Sequence, residues 1–187
     1  MHYRETPLSG AWIINVEPAT DLRGYFARFW CVADFDLHGL DGRFVQGSLS
    51  HNERRGTIRG MHLQFPPSHE AKLVRCSRGA IWDVIVDLRP ESPTFMQHFG
   101  VELNSGRHDA LYIPPAFGHG FQTLEDATEV VYQMTDVYAP QHGFGFRWND
   151  PAFGIRWPVD NITILPRDAT YPDFDSGRYL ARARGGA

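Results

Sequence analysis

Several features that mark common classes of protein are scarce or missing in this sequence of 187 residues. Its two cysteines, Cys31 and Cys76, lack the spacing of a metal-binding or redox pair. The net charge is −4 without any basic block, which argues against a nucleic-acid-binding surface. No apolar run is long enough to span a membrane, the start of the chain lacks a signal-peptide pattern, and no glycine-rich dinucleotide fingerprint is present. We therefore expect a cytoplasmic protein with reduced thiols and with neither a nucleic-acid nor a membrane partner.

The residues that are present favour β-structure. Hydrophobic residues make up 42% of the chain, and 18 glycines and 13 prolines interrupt it, which is typical of a turn-rich fold. The pattern predicts strands at residues 11–16, 80–88, 110–113 and 129–138, and short helices at 32–40 and 173–183. The sequence thus predicts a single all-β domain over residues 1–187, a sandwich or closed barrel with a few short flanking helices. Residues 178–187 are expected to form a flexible tail.

One short segment concentrates chemically useful side chains. The stretch from Gly56 to Gln64 contains Arg59 and His62, and Lys72 follows it closely. In paired strands, alternate side chains point to the same face, so these groups would reach one cavity. Such a cavity suits an anionic substrate and a proton transfer.

The same segment resembles the first metal-binding motif of the cupin β-barrels, in which two histidines precede a glutamate. Here Gln64 stands in place of the second histidine, whereas Glu70 and His119 lie near the expected positions of other ligands. An amide is a poor ligand for a transition metal, and the ammonium group of Lys72 would oppose a bound cation. We therefore predict metal-independent chemistry without a cofactor, with a metal-dependent cupin enzyme as the alternative.

Four residues are candidates for catalysis. His62 is the natural base because imidazole titrates near neutrality, and Lys72 could hold a developing oxyanion. Tyr132 lies in an alternating segment and is a candidate proton donor, although a purely structural core tyrosine is an equally good interpretation. Asp168 is a loop carboxylate that could orient His62, but no local feature indicates that contact.

Further motifs follow in order along almost the whole chain. They are residues 21–26 (DLRGYF), 72–76 (KLVRC), 83–89 (DVIVDLR), 92–94 (SPT), 113–121 (IPPAFGHGF) and 148–151 (WNDP). Together with residues 56–64, they resemble the RmlC-like family, the dTDP-4-dehydrorhamnose 3,5-epimerases. The resemblance implies a jelly-roll cupin barrel that works as a homodimer without a cofactor. It also implies that the substrate is a nucleoside-diphosphate 4-keto-6-deoxy-hexose, epimerised at C3, at C5 or at both through an enolate.

The resemblance also implies roles for individual residues. The family's base matches His62, its orienting carboxylate Asp168, its proton donor on the opposite face Tyr132, and its lysine Lys72. Its substrate-binding positions match Arg23, Phe26, Arg28, Gln46, Ser48, Arg59, His119 and Tyr138. The two arginines Arg23 and Arg59 match positions near the diphosphate.

The sequence departs from the family pattern at three positions. Arg28 replaces the usual glutamate, Ser48 replaces a frequent asparagine, and Gly143 replaces an acidic residue. A carboxylate accepts the imide N–H of thymine, whereas an arginine only donates hydrogen bonds. Arg28 therefore raises the hypothesis of a CDP- or GDP-linked sugar, epimerised at C3 only, as an alternative to the dTDP-linked substrate. A non-catalytic sugar-nucleotide-binding module is a further alternative, which the intact set of four catalytic candidates disfavours.

Overall fold

The computed structural model describes residues 1–183, which form thirteen strands, three short α-helices and one 3-10 helix (Pro140–His142). The strands are β1 (His2–Glu5), β2 (Trp12–Asn15), β3 (Ala19–Asp21), β4 (Gly24–Phe26), β5 (Gln46–Asn52), β6 (Ile58–Gln64), β7 (Lys72–Arg78), β8 (Ala80–Asp87), β9 (His98–Asn104), β10 (Ala110–Ile113), β11 (Phe117–Thr123), β12 (Thr128–Met134) and β13 (Gly143–Gly145). The helices are α1 (Val32–Leu37), α2 (Pro166–Ala169) and α3 (Ser176–Ala183). Within residues 1–183, no helix combines the length and the apolar character that crossing a membrane requires.

Eleven of the strands lie in two sheets that pack face to face. The six-stranded sheet has the order β1-β2-β10-β7-β12-β5, and the five-stranded sheet has the order β13-β6-β11-β8-β9. Buried side chains of both sheets, among them Val74 and Val130 from the first and Ile81 and Phe121 from the second, pack into one core cluster. The predicted all-β jelly-roll cupin barrel with short flanking helices is thereby confirmed.

Strand β8 is buried on both of its faces. Ile85 faces the cluster between the sheets, whereas Val84 and Val86 pack with Phe146 and Tyr179 on the other side. A strand covered on both faces needs a nearly continuous apolar run, and residues 80–88 supply it. The C-terminal part of the chain therefore forms a second layer that supports the five-stranded sheet from outside.

The C-terminal segment differs from the expected flexible tail. Residues 178–183 belong to α3, and the buried Tyr179 donates a hydrogen bond from Oη to the backbone oxygen of Leu88 at 2.8 Å. The buried Tyr179 ring and the hydrogen bond of its hydroxyl group hold this segment against the sheet. The structure thus replaces the predicted tail with a docked helix up to residue 183, and residues 184–187 lie outside the described residues.

Strands β6 and β11 approach each other so closely that the contact requires glycine. A Cβ atom at Gly60, whose φ is +128°, would lie 2.5 Å from the Cα atom of Gly120. The register shifts between His119 and Phe121, as at a β-bulge. The same pairing sets His119 opposite His62. These two strands therefore bring two imidazoles to one place.

Candidate active site

The barrel contains a cavity with two adjoining chambers, lined by residues of both sheets. The first chamber, of about 540 Å³, includes Arg59 and His119 in its lining, and the second, of about 610 Å³, includes Gln46 and Tyr138. Both chambers are lined by His62, Lys72, Tyr132 and Arg167. The three predicted groups for proton transfer and oxyanion stabilisation thus lie around a shared cavity, where the two chambers meet.

His62 on β6 is paired with a buried carboxylate. Its Nε2 lies 3.0 Å from Oδ1 of Asp168, which belongs to α2. The other carboxylate oxygen accepts a hydrogen bond from the backbone N–H of Gly60 at 3.5 Å, and Nε of Arg167 donates to Oδ1 at 3.0 Å. The predicted contact between Asp168 and His62 therefore exists, and Arg167 joins it.

The electrostatics of this pair favour an ionised carboxylate. Burial raises the pKa of Asp168, but the hydrogen bonds and positive charges of His62 and Arg167 outweigh that effect and hold the pKa below its usual value. An ionised Asp168 accepts the Nε2–H of His62, which leaves Nδ1 as the basic nitrogen. The arrangement therefore prepares His62 to take up a proton.

Tyr132 approaches the cavity from the sheet that faces His62. It lies on β12, and its ring packs against His119 with a centroid separation of 6.1 Å. Burial raises the pKa of the Tyr132 phenol, the charge of Asp83 raises it further, and Arg59 opposes both. The phenol therefore stays protonated at neutral pH, as a proton donor must.

Two cationic side chains enter the cavity with different partners. Nζ of Lys72 lies 2.8 Å from Oε2 of Glu70, and the two side chains are only 16% and 7% exposed. Arg59 donates from Nε to Oδ1 of the neutral Asn52 at 2.7 Å and from Nη2 to the backbone oxygen of His51 at 3.4 Å. Among residues 1–183, no carboxylate forms an ion pair with Arg59, so its charge is available to an anion.

A second histidine–carboxylate pair lies beside the first. Nε2 of His119 is 2.8 Å from Oδ1 of Asp83, and both side chains are buried. Oδ2 of Asp83 has no hydrogen-bond partner in the part of the chain that the structure describes. The pair fixes the His119 imidazole at the wall of the first chamber, next to Tyr132.

The second chamber ends in polar and aromatic groups. Gln46 and Ser48 on β5 line it together with Tyr138, which is exposed. Oε1 of Gln46 accepts a hydrogen bond from the backbone N–H of Tyr138 at 2.9 Å. An amide, a hydroxyl and a phenol ring at an open end provide hydrogen bonds and a stacking surface, as recognition of a nucleoside requires.

Comparison with known proteins adds a decisive observation. Residues 5–176 match the protein family described as dTDP-4-dehydrorhamnose 3,5-epimerase. The chain belongs to this family. It is therefore an epimerase, an isomerase-type enzyme of deoxysugar biosynthesis.

Individual relatives of this epimerase cover nearly its whole length. The dTDP-4-dehydrorhamnose 3,5-epimerase of Methanothermobacter thermautotrophicus is 42% identical over 170 residues, or 89% of this chain and 91% of the relative. The crystal structure of the Bacillus anthracis dTDP-4-dehydrorhamnose 3,5-epimerase, with TDP and PPi bound, has a TM-score of 0.89 at 36% identity and covers 92% of this chain and 99% of that chain. A 3'-monoepimerase from Streptomyces bikiniensis in complex with dTDP-quinovose has a TM-score of 0.85 at 32% identity and covers 94% and 89%.

Three of the predicted substrate-binding residues lie outside the cavity of the chain that carries them. Arg23, Phe26 and Arg28 line neither chamber. Strands β3 and β4 pair only with each other, Arg23 binds the neighbouring Asp21, and Phe26 is 77% exposed. Because this hairpin joins neither sheet, nothing within the single chain directs its side chains into the barrel. Within their own chain these three residues therefore lie outside the cavity, and their role in substrate binding stays a prediction.

Three residues of the site were not predicted from the sequence. Arg167 lines both chambers and binds Asp168, and its position next to that carboxylate was its only signal. Asp83 lies on the same face of β8 as the inward-facing residues Ile81 and Ile85. This alternation indicated where its side chain points but did not identify His119 as its partner. Tyr171 lies edge-on to His62, with ring centroids 6.2 Å apart. No local pattern marks Tyr171, since its position depends on packing.

Gln64, at the position of a cupin metal ligand, is engaged in hydrogen bonds to a neighbouring loop. Its Oε1 accepts from the backbone N–H of Ala139 at 2.7 Å, and its Nε2 donates to Oγ of Ser68 at 3.2 Å and to the backbone oxygen of Val137 at 3.4 Å. Within residues 1–183, no group of three or more His, Cys, Asp and Glu side chains is arranged to hold a metal ion. Gln64 thus fixes the loop that carries Tyr138.

The glycine beside His62 makes room for Tyr171, which yields a prediction. Gly145 pairs with His62 across β13 and β6, and a Cβ atom there would overlap Cζ of the Tyr171 ring. We expect Gly145→Ala to displace the phenol from the base and to lower kcat/KM about ten-fold, because small misplacements near reacting groups are costly. Steady-state kinetics measure this loss.

A second substitution and a control test the cause of that loss. Gly145→Ala combined with Tyr171→Ala removes the overlap, so its thermal unfolding temperature should exceed that of Gly145→Ala alone. Gly106→Ala introduces a methyl group where the nearest atom, Oδ1 of Asn104, is 3.5 Å away, and should behave as the parent enzyme. Unchanged kinetics for Gly145→Ala would contradict the prediction.

Proposed function

We propose that this epimerase inverts C3 and C5 of a nucleoside-diphosphate 4-keto-6-deoxy-hexose, with the dTDP-linked sugar as substrate. The observation that carries the proposal is the placement of the reacting groups across the cavity. His62 comes from the five-stranded sheet, whereas Tyr132 and Lys72 come from the facing six-stranded sheet, and all three line both chambers. A sugar ring between the sheets would meet a base on one face and an acid on the other.

The chemistry follows from the ketone of the substrate. The C4 carbonyl acidifies the protons on C3 and C5, so His62 can remove either one and leave an enolate. The ammonium group of Lys72 stabilises the negative charge that develops on the C4 oxygen. Tyr132 then returns a proton to the opposite face, which inverts the carbon centre. Solvent then takes the proton from His62 and returns one to Tyr132, and repetition at the second carbon gives the double epimer.

The remaining charges fit the diphosphate of such a substrate. Arg59 lacks a carboxylate partner within the described part of the chain, and Arg167 lines both chambers. Guanidinium groups bind phosphate oxygens in a bidentate manner. We place the diphosphate against these two arginines and the nucleoside toward Gln46 and Tyr138. A solved structure of the Bacillus anthracis relative has TDP and PPi bound, which supports a diphosphate-containing ligand for this family.

Proton exchange in D2O tests the proposed reaction. The enzyme is incubated with dTDP-4-keto-6-deoxyglucose, and NMR records which ring carbons acquire deuterium. Incorporation at both C3 and C5 with inversion is expected, and incorporation at C3 alone would assign the chain to the 3-epimerase type. Absence of incorporation at either carbon would remove the proposal.

Arg28 keeps a CDP- or GDP-linked substrate as a second candidate. It stands where the family has glutamate, and an arginine donates to cytosine O2 and N3 or to guanine O6 and N7 but does not accept the thymine imide N–H. Competition of dTDP, CDP and GDP for the enzyme decides between the candidates. A clear preference for dTDP would eliminate the second one.

We also propose that the enzyme is a cytoplasmic homodimer. The hairpin of β3 and β4 exposes Leu22, Tyr25 and Phe26, and the edge strand β5 exposes Leu49, which are groups that a partner subunit would cover. In such a dimer the hairpin of one subunit can reach the cavity of the other, which would restore the expected roles of its arginines. Both cysteines are unpaired, which agrees with a reducing compartment.

Subunit complementation gives a prediction for the dimer. The His62→Ala variant and an Arg23→Ala/Phe26→Ala variant should each be nearly inactive, yet a refolded mixture should recover roughly a quarter of the parent activity, because random pairing leaves one intact site in half of the dimers. Light scattering checks the mass. Absence of recovery, or a monomer by light scattering, would contradict the shared site.

A further inference from the structure

We infer that Glu70 is a positioning residue that holds the ammonium group of Lys72 where the enolate oxygen forms. This inference rests on the proposed function, in which Lys72 stabilises that oxygen. It goes further by naming the group that keeps Lys72 in place. The ion pair between them, 2.8 Å long and shielded from solvent, is the observation that carries it.

The backbone directs both side chains into the second chamber. Glu70 lies two residues before Lys72, the first residue of β7, and both side chains line this chamber. Ala71 between them is buried on the other side and is fixed by Thr135, whose Oγ1 accepts the Ala71 N–H at 2.8 Å and whose N–H donates to the Ala71 oxygen at 3.1 Å. The pair is therefore mounted on a backbone segment that neighbouring loops hold in position.

A positioning group is needed because a lysine side chain is long and flexible. Its ammonium group is a point charge on a four-carbon stem, and ordering that stem costs conformational entropy. An oxyanion-stabilising group contributes most when it is fixed before the reaction begins. Because the Glu70 carboxylate orders Lys72 in the free enzyme, the entropy cost is already met when the substrate binds.

Glu70 also has an opposing electrostatic effect. Its negative charge offsets part of the field that Lys72 exerts on the enolate oxygen. One observation favours the positioning effect: the side chains of Lys72 and Glu70 are both nearly buried. A shielded ammonium group without a partner is costly and would turn toward solvent or another acceptor. We therefore expect that removal of Glu70 lowers activity.

A double-mutant cycle tests the inference. Glu70→Ala should lower kcat about ten-fold with KM changed less than about three-fold, because Lys72 acts mainly on the transition state. Glu70→Gln keeps an oxygen acceptor for the ammonium group and should recover part of the loss. In a Lys72→Met background, Glu70→Ala should have no further effect, since a residue that acts only through Lys72 has nothing left to position.

The single lysine permits a direct spectroscopic measurement. Labelling with ¹⁵N at lysine Nζ gives one side-chain resonance, that of Lys72. In the parent enzyme we expect an ordered ammonium group whose protons exchange slowly. Glu70→Ala should broaden the signal or accelerate the exchange, and Glu70→Gln should have a smaller effect. Glu102→Ala, which removes one of the two carboxylate partners of Arg107 at the protein surface, serves as the matched control and should change neither readout.

The outcomes separate this inference from the proposed function. If Lys72→Met is as active as the parent enzyme, the proposed role of Lys72 in the reaction is wrong. If Lys72→Met is inactive but Glu70→Ala and Glu70→Gln keep full kcat and an unchanged lysine resonance, only the inference is overturned. Additive losses in the double variant would show that Glu70 acts independently of Lys72 and would also overturn it. Thermal unfolding of each variant confirms that the compared proteins are folded.

Discussion

Replacement of His62 by alanine is expected to lower kcat by about three orders of magnitude, since a positioned general base contributes in that range. His62 is the imidazole that an ionised Asp168 fixes at the meeting point of the two chambers. Without it, no other described group paired with Asp168 can accept the C3 or C5 proton from that face. The measurement is the rate of deuterium incorporation into the 4-keto substrate, followed by NMR together with product formation.

A surface histidine provides the control for this result. His98→Ala changes an exposed residue of β9 in the five-stranded sheet that also carries His62, and it should leave the rate unchanged. The KM of the His62→Ala variant should stay within a few-fold of the parent value, because Arg59 and Tyr138 still line the cavity. Deuterium incorporation at the parent rate in His62→Ala would remove this residue from the role of base.

Tyr132→Phe is expected to reduce the formation of epimerised product by about two orders of magnitude, as for the loss of a positioned acid, while deuterium exchange into the substrate persists. The base still generates the enolate from its own face and can return a proton there, which restores the starting configuration. Exchange without inversion is therefore the distinguishing signature. Because burial raises the pKa of Tyr132, the parent enzyme should not lose activity through its ionisation at mildly alkaline pH.

Product stereochemistry and exchange are measured in the same NMR experiment. Tyr112→Phe is a suitable control, because Tyr112 is a buried tyrosine of the six-stranded sheet whose hydroxyl accepts a hydrogen bond from the backbone N–H of Asp41. It should lower stability modestly but not change the ratio of exchange to inversion. Parallel loss of both exchange and inversion in Tyr132→Phe would argue against a separate acid on the opposite face.

Strand prediction from the sequence succeeded where local composition and burial agree. Residues 80–88 were predicted as a strand from their apolar, β-branched character, and β8 spans Ala80–Asp87. The strand predicted at 129–138 ends earlier, at Met134. There, Oγ1 of Thr135 accepts the N–H of Ala71 and Asp136 accepts the N–H of His69, so these residues turn onto a neighbouring loop. These hydrogen bonds join residues that are far apart in the sequence, so the local pattern did not indicate the end of the strand.

The residues of the candidate site likewise fall into those that a local motif identifies and those that it does not. His62 and Lys72 were recognisable from one motif, but the expected pairing of their strands is wrong. They share a cavity because β6 and β7 belong to sheets that face each other. The contact between His62 and Asp168 spans 106 positions, and its prediction relied on a family resemblance. Arg23, Phe26 and Arg28 were assigned to the site by the family resemblance alone, and they line neither chamber of their own chain.

The close approach of β6 and β11 limits how this enzyme can be redesigned. Gly60 and Gly120 approach each other closely through their backbones, and they lie two residues from His62 and one residue from His119. Any side chain introduced there would push the strands apart and move both histidines together. Mutational libraries that seek new sugar-nucleotide preferences should therefore leave these glycines fixed and vary Ser48 and Tyr138 instead, where the open end of the cavity can tolerate changes in shape.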